Sequence, residues 1–447
     1  MLKEQYRNFQ GEGKRAITEG PVWKALVVIA LPIVFANILR SAYHFTDAFW
    51  VGRLGGNAVA AVSVGFPMVF LMMTLGAGFA IAGSTLSAQY FGAGRKYELN
   101  AVAAQTTLLA VTIAVVFTML GWVTAPAILR GLGVEQAIFL DALAFLRFSL
   151  LGLTSMFIFS MFQSLMRGIG EVMLPLGIVL VTVLLNFLFD PLFIFGWGPV
   201  PPLGVAGAAF ATLATQSIAA LIGLWVFARG KYGIRISFGD LAPQGAIIKR
   251  ILKLGYPASI EQAVRAVGMN AMVFLAAGFG TVAIAAYGVG SNVLRFVFVP
   301  AMGLSFATSA LVGQNIGAKN PARAERIALL SAAISFAMLS VVGAFVFFFA
   351  EAIMHFFVPT DPEVIRTGTI FLRIMGPSLG FMGVQQVLSG AFRGAGDTYS
   401  AMAAAIILQW VVQFPLAWVL SYYTPLGILG MWWAFPLSFV VTALLTM

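Results

Sequence analysis

Residues 172–195 read VMLPLGIVLVTVLLNFLFDPLFIF, and their only charge is Asp190. Wound as a helix at 1.5 Å per residue, the run is about 36 Å long, enough to cross roughly 30 Å of hydrocarbon. Lipid offers the backbone no hydrogen-bond partners, so such a run satisfies itself as a helix. Eleven other stretches share this character: 23–50, 58–84, 99–124, 138–165, 204–228, 248–275, 282–311, 327–350, 364–389, 398–420 and 427–447. They are too long and too continuous for the alternating strands of an outer-membrane barrel. The fold class is therefore an all-α polytopic membrane protein with twelve transmembrane helices.

Composition agrees. Of 447 residues 60% are apolar and 9% charged, against about 25% charged in soluble domains. So few charges cannot coat a soluble protein of this size. The absence of cysteine excludes disulfides, thiolate metal sites and cysteine nucleophiles. The net charge of +10 would suggest nucleic acid in a soluble chain. Here the basic residues sit in short gaps between apolar runs, which is a topology signal and not a nucleic-acid surface.

Eighteen of the 26 Lys and Arg fall in gaps on one side: Lys3, Arg7, Lys14, Arg15, Lys24, Arg95, Lys96, Arg167, Arg229, Lys231, Arg235, Lys249, Arg250, Lys253, Lys319, Arg323, Arg326 and Arg393. The opposite gaps hold only Arg53, Arg130 and Arg366. This asymmetry predicts both termini in the cytoplasm of a multi-pass cytoplasmic (inner) membrane protein. The opening stretch, MLKEQYRNFQGEGKRAITEGP, has no apolar core and no cleavage pattern, so no signal peptide is expected.

A shift of about 225 residues lays one half of the chain on the other. SAQYFGAGR (87–95) falls on LVGQNIGAKN (311–320), FLR (145–147) on FLR (371–373), LMRGIGE (165–171) on AFRGAGD (391–397), and LGVAGAAFA (203–211) on LGILGMWWA (426–434). Pro32 falls on Pro257 and Gly55 on Gly280. Six helices per half make the repeats parallel, related by a pseudo-two-fold axis along the membrane normal. The expected organisation is a cytoplasmic segment 1–22, a six-helix lobe 23–228, a cytoplasmic linker 229–247 and a second six-helix lobe 248–447. Pro32, Gly65, Pro67, Pro191 and Pro257 are expected bending points.

The repeat also sorts charges. Arg40 with Arg265, and Arg147 with Arg373, are shared by both halves and read as structural. Three carboxylates inside apolar runs are unshared: Asp47, Asp190 and Glu261, whose counterparts are Met272, Phe414 and Ala36. Intramembrane ionisable groups cost about 2.5–3.5 kcal/mol on insertion scales and mark functional sites by default.

Asn37, Arg40, Ser41, His44 and Asp47 recur at steps of three and four, one polar stripe on the first helix. Thr182, Asn186 and Asp190 form another on the fifth, where Pro191 frees a backbone carbonyl. Both helices run outward, so the two acids lie at similar depth. Two carboxylates with Asn and Thr oxygens can hold a hard cation such as Na⁺ or carry a proton. The competing reading satisfies Asp190 with Arg147 or Arg40. Histidine titrates in the physiological range, which makes His44 a candidate proton relay. Glu261, with Arg265 one turn on and Arg295 in the eighth helix, reads as a buried ion pair or a second ionisable site.

YHFTDAFWVGRLGG (43–56), QYFGAGR (89–95), MRGIGE (166–171), LNFLFDPLFIFG (185–196), GVAGAAFATL (204–213), GQNIGAKN (313–320) and FRGAGD (392–397) together resemble the MATE (multidrug and toxic compound extrusion) transporters, nearest their prokaryotic DinF-like branch. The resemblance spans residues 20–447. It implies two six-helix lobes around a central cavity and export of amphipathic, often cationic compounds in exchange for H⁺ or Na⁺. It implies a coupling site in the first lobe, carried here by Asp47, Asn186, Asp190 and Thr212, the same oxygens that would hold Na⁺, with Tyr43 close by. No cofactor beyond the coupling ion is expected, and the expected partners of a monomeric chain are small amphipathic substrates and membrane lipid. Two positions depart from that branch: His44 stands where Asn is frequent, and Arg265 stands near the place of a glutamate used by other branches.

Two rivals have other residue requirements. A flippase for lipids or lipid-linked oligosaccharides would want a cationic cavity, for which Arg40, Arg147, Arg265 and Arg295 are available. An intramembrane enzyme would need a nucleophile or metal set. Two histidines, no cysteine and no HExxH or GxSxG motif argue against one.

Overall fold

The computed structural model describes residues 20–446. Residues 1–19, most of the expected N-terminal segment and the region of the signal-peptide reading, lie outside that range. The first repeat forms six helices: α1 (Val22–Gly52), α2 (Gly56–Gly92), α3 (Lys96–Gly131), α4 (Gln136–Gly168), α5 (Met173–Phe195) and α6 (Val205–Arg229). The second forms α7 (Gly245–Ala277), α8 (Thr281–Gly317), α9 (Pro321–Phe348), the short α10 (Ala350–Phe357), α11 (Pro362–Met375), α12 (Leu379–Ala395), α13 (Thr398–Ile406), α14 (Phe414–Tyr422) and α15 (Ile428–Thr446). A 3₁₀ turn at Gly376–Ser378 joins α11 to α12, and a π turn at Ile407–Gln413 joins α13 to α14, so each pair is one interrupted crossing. Counted this way the described residues make twelve crossings.

Ten described helices are long and apolar enough to span a membrane unaided. The two that are not are α7, diluted by Lys249, Arg250, Lys253, Glu261 and Arg265, and the crossing broken at Pro377. Many helices outrun the apolar stretches that predicted them. Apolar sequence marks the hydrocarbon, whereas α2, with 37 residues, measures about 55 Å and continues into the polar layers.

By packing, among the described residues one unit is Phe35–Ser259 and the other is 20–34 together with 260–446. Within each unit the repeat is visible atom by atom. Gly55 and Gly280 precede α2 and α8 with φ of 107° and 93°, a conformation that costs glycine little. The QYFGAG and QNIGAK turns close alike, with Ala93 N–H on Gln89 O and Ala318 N–H on Gln314 O, both at 2.9 Å. A Cβ on Gly65 would stand 2.8 Å from the Phe145 ring, and one on Gly290 would stand 2.3 Å from the Phe371 ring. These are the same close approach in both halves, with the FLR phenylalanine filling the gap left by glycine. The segment 229–247 is not a bare tether. Gln105 of α3 donates to the carbonyls of Asp240 and Ala242 at 2.9 and 2.8 Å and accepts from Gln244 N–H at 3.0 Å.

Candidate functional site

The site lies inside the unit Phe35–Ser259, and the α5–α6 hairpin builds most of it. Gly196 (φ 77°) and Gly204 (φ 56°) turn the chain. Leu203 N–H and Gly204 N–H then bond back to Phe193 O and Ile194 O at 3.0 and 3.1 Å. Gly207 allows α6 to close on α5, since a Cβ there would meet Phe193 O at 2.3 Å. From that point the antiparallel helices bring Thr212 alongside the Asn186–Asp190 turn.

Asp190 and Asn186 are fully buried. Asn186 Nδ2 donates to Asp190 Oδ1 at 3.0 Å, while Asp190 Oδ2 and Asn186 Oδ1 are left with no protein partner. Asp47 enters from α1. The polar side chains acting on it are Asp190, Asn186 and Thr212, and its Oδ1 is also buried without a hydrogen bond. Three oxygens from three acidic or amide side chains thus converge unpaired, and buried oxygens without donors are costly. A cation or an added proton would relieve that cost. The carboxylates, the amide oxygen and the Thr212 hydroxyl are hard oxygen donors of the type Na⁺ takes.

The buried Tyr43 hydroxyl meets Thr215 Oγ1 at 2.5 Å. Thr215 also donates to Ala211 O at 3.0 Å and so fixes the tyrosine against α6. Thr215 was not read from the sequence. A hydroxyl three residues past Thr212 in a helix bonds its own backbone by default, and nothing local distinguishes it.

Beside these groups opens a cavity of about 530 Å³ whose lining includes Tyr43, His44, Asp47, Thr182 and Thr212. Phe66, Met73, Phe145, Met156 and Phe159 supply aromatic and thioether surface. Thr182 spends its hydroxyl on Val179 O at 3.0 Å. His44 packs edge-on to Phe66, ring centroids 5.8 Å apart. Asn37 does not line the cavity; periodicity placed it on the right face, but ten residues before Asp47 it lies about 15 Å back along α1.

The arginines do not satisfy Asp190. Arg40 lines the cavity and donates to Gln163 Oε1 at 2.6 Å. Arg147 stacks over Trp122, 4.9 Å from the ring centroid. In the other unit Glu261 is fully buried, accepting from Arg265 at 3.2 Å and from Arg393 at 3.5 Å. Arg393 also donates to Ser305 Oγ at 3.0 Å. Glu261 is thus an ion-pair centre, as one of its two readings held, and Arg393 takes the place that the sequence offered to Arg295. Arg295 is exposed and makes no ion pair among the described residues.

The sequence profile of the MatE family matches residues 32–192 and again 257–419. The two matches start at Pro32 and Pro257, the pair that also opens the internal repeat. Among curated sequences, a probable multidrug resistance protein of Bacillus subtilis, YoeA, is 29% identical over 95% of this chain and 92% of its own. The probable multidrug resistance protein NorM of Thermotoga maritima is 29% identical over 92% of this chain and 88% of its own. Among solved structures, a MOP superfamily transporter from Pyrococcus furiosus, described as having a binding pocket of reverse polarity that suggests a different function, superposes with TM-score 0.89. It is 25% identical, covering 97% of this chain and 96% of that one.

Proposed function

The chain belongs to the MatE family, and from that premise we propose that it exports amphipathic, cationic compounds across the cytoplasmic membrane in exchange for H⁺ or Na⁺. It is a transporter and not an enzyme. The observation that carries the reading is the convergence of Asp47, Asn186, Asp190 and Thr212 beside a roomy apolar cavity. A volume of about 530 Å³ suits a drug-sized molecule. Aromatic faces and methionines suit varied apolar cations.

In the proposed cycle the empty carboxylates attract a cationic substrate from the cytoplasmic side. On the outer side H⁺ or Na⁺ occupies Asp47, Asn186, Asp190 and Thr212, neutralises the pair and competes the substrate away. Tyr43, held by Thr215, keeps α1 in register with α6, and His44 borders the path by which a proton would reach Asp47. The work of export comes from the different affinities of ion and substrate for the two facing states. The two lobes, 23–228 and 248–447, would move as the alternating bodies, with both termini cytoplasmic and a monomer as the working unit.

One observation favours a second reading: Arg40 lines the same cavity, as a carrier of lipid phosphate would require. Reconstitution in liposomes separates the two. Ethidium movement driven by an imposed pH or Na⁺ gradient, and lost in D190N, establishes the antiporter and identifies its ion. Inserted protein that moves no ethidium under either gradient, yet moves fluorescent phospholipid between leaflets, establishes the flippase.

A further inference from the structure

A second opening, about 460 Å³, lies on the outside of the second repeat. Its walls come from α9, α11, α12 and α15, and Phe347, Ile370 and Trp433 on its rim are between a third and a half exposed. The α9 wall is the repeat equivalent of α3, which contributes nothing to the cavity of the first repeat, so this exposure is on the side away from that cavity, where a membrane-spanning bundle meets lipid. The lining is hydrocarbon and aromatic apart from Ser378 and Arg373, and Ser378 spends its hydroxyl on Met375 O at 2.8 Å. Arg373 is therefore the one charge presented to the groove. Its side chain is 48% exposed, and its nearest acid, Glu351, is 4.0 Å away and 65% exposed.

The repeat shows that this arrangement is particular to one half. Arg373 corresponds to Arg147, and Phe347 to Trp122. In the first repeat the guanidinium is covered by the Trp122 ring at 4.9 Å. In the second, the ring is the smaller Phe347, and an acid, Glu351, stands on the following turn where the first repeat has Pro126. The result is a loose, exposed plus–minus pair at the mouth of an apolar groove. Glu351 lies on α10 seven residues before the turn at 358–361 and Arg373 twelve residues after it, so the pair marks the end of the groove nearer that turn, from which the long guanidinium side chain can reach toward the headgroup layer. From there Pro377, Phe381, Pro436 and Val440 carry the groove toward the bilayer interior.

A headgroup that fits carries a phosphate for the guanidinium and, one short linker away, a cation with hydrogen-bond donors for the carboxylate. Guanidinium binds phosphate oxygens in a bidentate fork. A primary ammonium offers three donors to a carboxylate, whereas a quaternary one offers none. We propose that this groove is a specific site for a zwitterionic aminophospholipid of the phosphatidylethanolamine class, with its phosphate on Arg373, its ammonium on Glu351 and an acyl chain along Phe381 and Val440. The inference goes beyond the transport reading and uses it only for sidedness, which puts the site in the outer leaflet.

Native mass spectrometry of the delipidated full chain, titrated with phosphatidylethanolamine, phosphatidylcholine and phosphatidylglycerol of matched chains, tests it without any gradient, so failure of the transport reading leaves this test intact. The expected order is phosphatidylethanolamine above the other two. Arg373→Ala should weaken that binding about tenfold, as loss of a charge-assisted fork does. Glu351→Gln should erase the preference over phosphatidylglycerol. Val440→Trp, which fills the groove and leaves both charges, should also displace the lipid, and it stands in for Arg373→Ala if that variant does not fold. Equal binding of phosphatidylglycerol by the wild type, or undiminished phosphatidylethanolamine binding in Arg373→Ala and Val440→Trp, would overturn the proposal.

Discussion

The two repeats share a scaffold and divide the chemistry. In the first, Asp47 and Asp190 converge with oxygens left unpaired beside a cavity. In the second, the positions of Asp47 and Asp190 hold Met272 and Phe414, and the π turn before Phe414 carries the neutral buried amides Gln409 and Gln413. The single buried acid of that half, Glu261, is committed to Arg265 and Arg393. The equivalents of those arginines in the first half, Arg40 and Arg167, bond to the neutral side chains of Gln163 and Ser164. An acid surrounded by guanidinium donors is spent on structure, whereas acids facing each other across oxygens have capacity to spare for a ligand. Duplication supplies two equal frames with unshared acids in both, and what distinguishes the frame proposed to bind is that its acids face no guanidinium partner.

The sharpest way to break this contrast is to neutralise one acid in each half. Asp190→Asn keeps an oxygen for Asn186 and should fold. It should reduce gradient-driven export by about 5- to 150-fold, the span of ordinary coupling energies of about 1–3 kcal/mol. The check is ethidium flux in liposomes with insertion measured in parallel. Wild-type flux in Asp190→Asn would move the coupling site out of the first repeat.

Glu261→Gln should do the opposite. It strips two buried or half-buried guanidinium groups of their counter-charge, a change that costs about 3–5 kcal/mol when one partner of a buried pair is removed. The expected outcome is a lower melting temperature in detergent, with transport by the surviving protein retained. Replacing the charges together by apolar residues, as in Glu261→Met with Arg393→Met, should recover part of the loss. A stable Glu261→Gln that has lost transport would make Glu261 part of the coupling machinery.

A smaller effect tests how alike the frames are. Gly168 and Gly394 are repeat partners in the RGIG and RGAG turns. A Cβ on Gly168 would meet Ser84 O at 2.6 Å, and one on Gly394 would meet Ser309 O at 2.3 Å. Both neighbours are backbone and cannot swing aside, so alanine at either site should cost about 1–3 kcal/mol through overpacking. Gly394→Ala should cost the more. Thermal melts of the two single variants measure the difference directly.

How much of this was legible in the sequence depends on the kind of signal. Asp47 and Asp190 stood out because a carboxylate in an apolar run is expensive wherever it points. Arg393 reads in the sequence as an end-of-helix topology charge, and its part in the Glu261 pair is not legible there. Its RGAG setting at the inner end of a crossing is what a positive-inside charge looks like, and only packing against Glu261 and Ser305 buries it. Asn37 was credited to the site because a period of 3.6 reports the face of a helix and not the depth. The lipid-facing groove could not be seen at all, since Phe347, Trp433 and Val440 lie far apart in the chain and look like any membrane residues.

The smallest expected effect concerns the linker docked on the first repeat. Asp240 Oδ2 accepts from Ser237 N–H and Ser237 Oγ, both at 2.8 Å, and Gln105 holds the adjacent carbonyls. The position of Gln105 in the second repeat is Leu330, which has no amide to offer such hydrogen bonds. The Ser237 donors, with a minor contribution from Arg235, hold the Asp240 carboxyl below its ordinary value. A carboxyl depressed in the folded state adds stability above its unfolded value of about 3.9 and loses it as the pH falls through the lower folded value. The group is exposed, so the gain is screened to about a few tenths of a kcal/mol. Amide hydrogen exchange across 235–244 should therefore be unchanged from pH 8 to pH 5 once intrinsic rates are removed, and should quicken slightly below about pH 4. Asp240→Asn should show the quicker exchange at every pH and no step. Gln105→Leu, which leaves Asp240 and Ser237 intact, should loosen the same amides more than Asp240→Asn does, because it removes three hydrogen bonds of a buried side chain instead of two at the surface. Equal exchange in the two variants would mean that the linker is held by its own turn and not by α3.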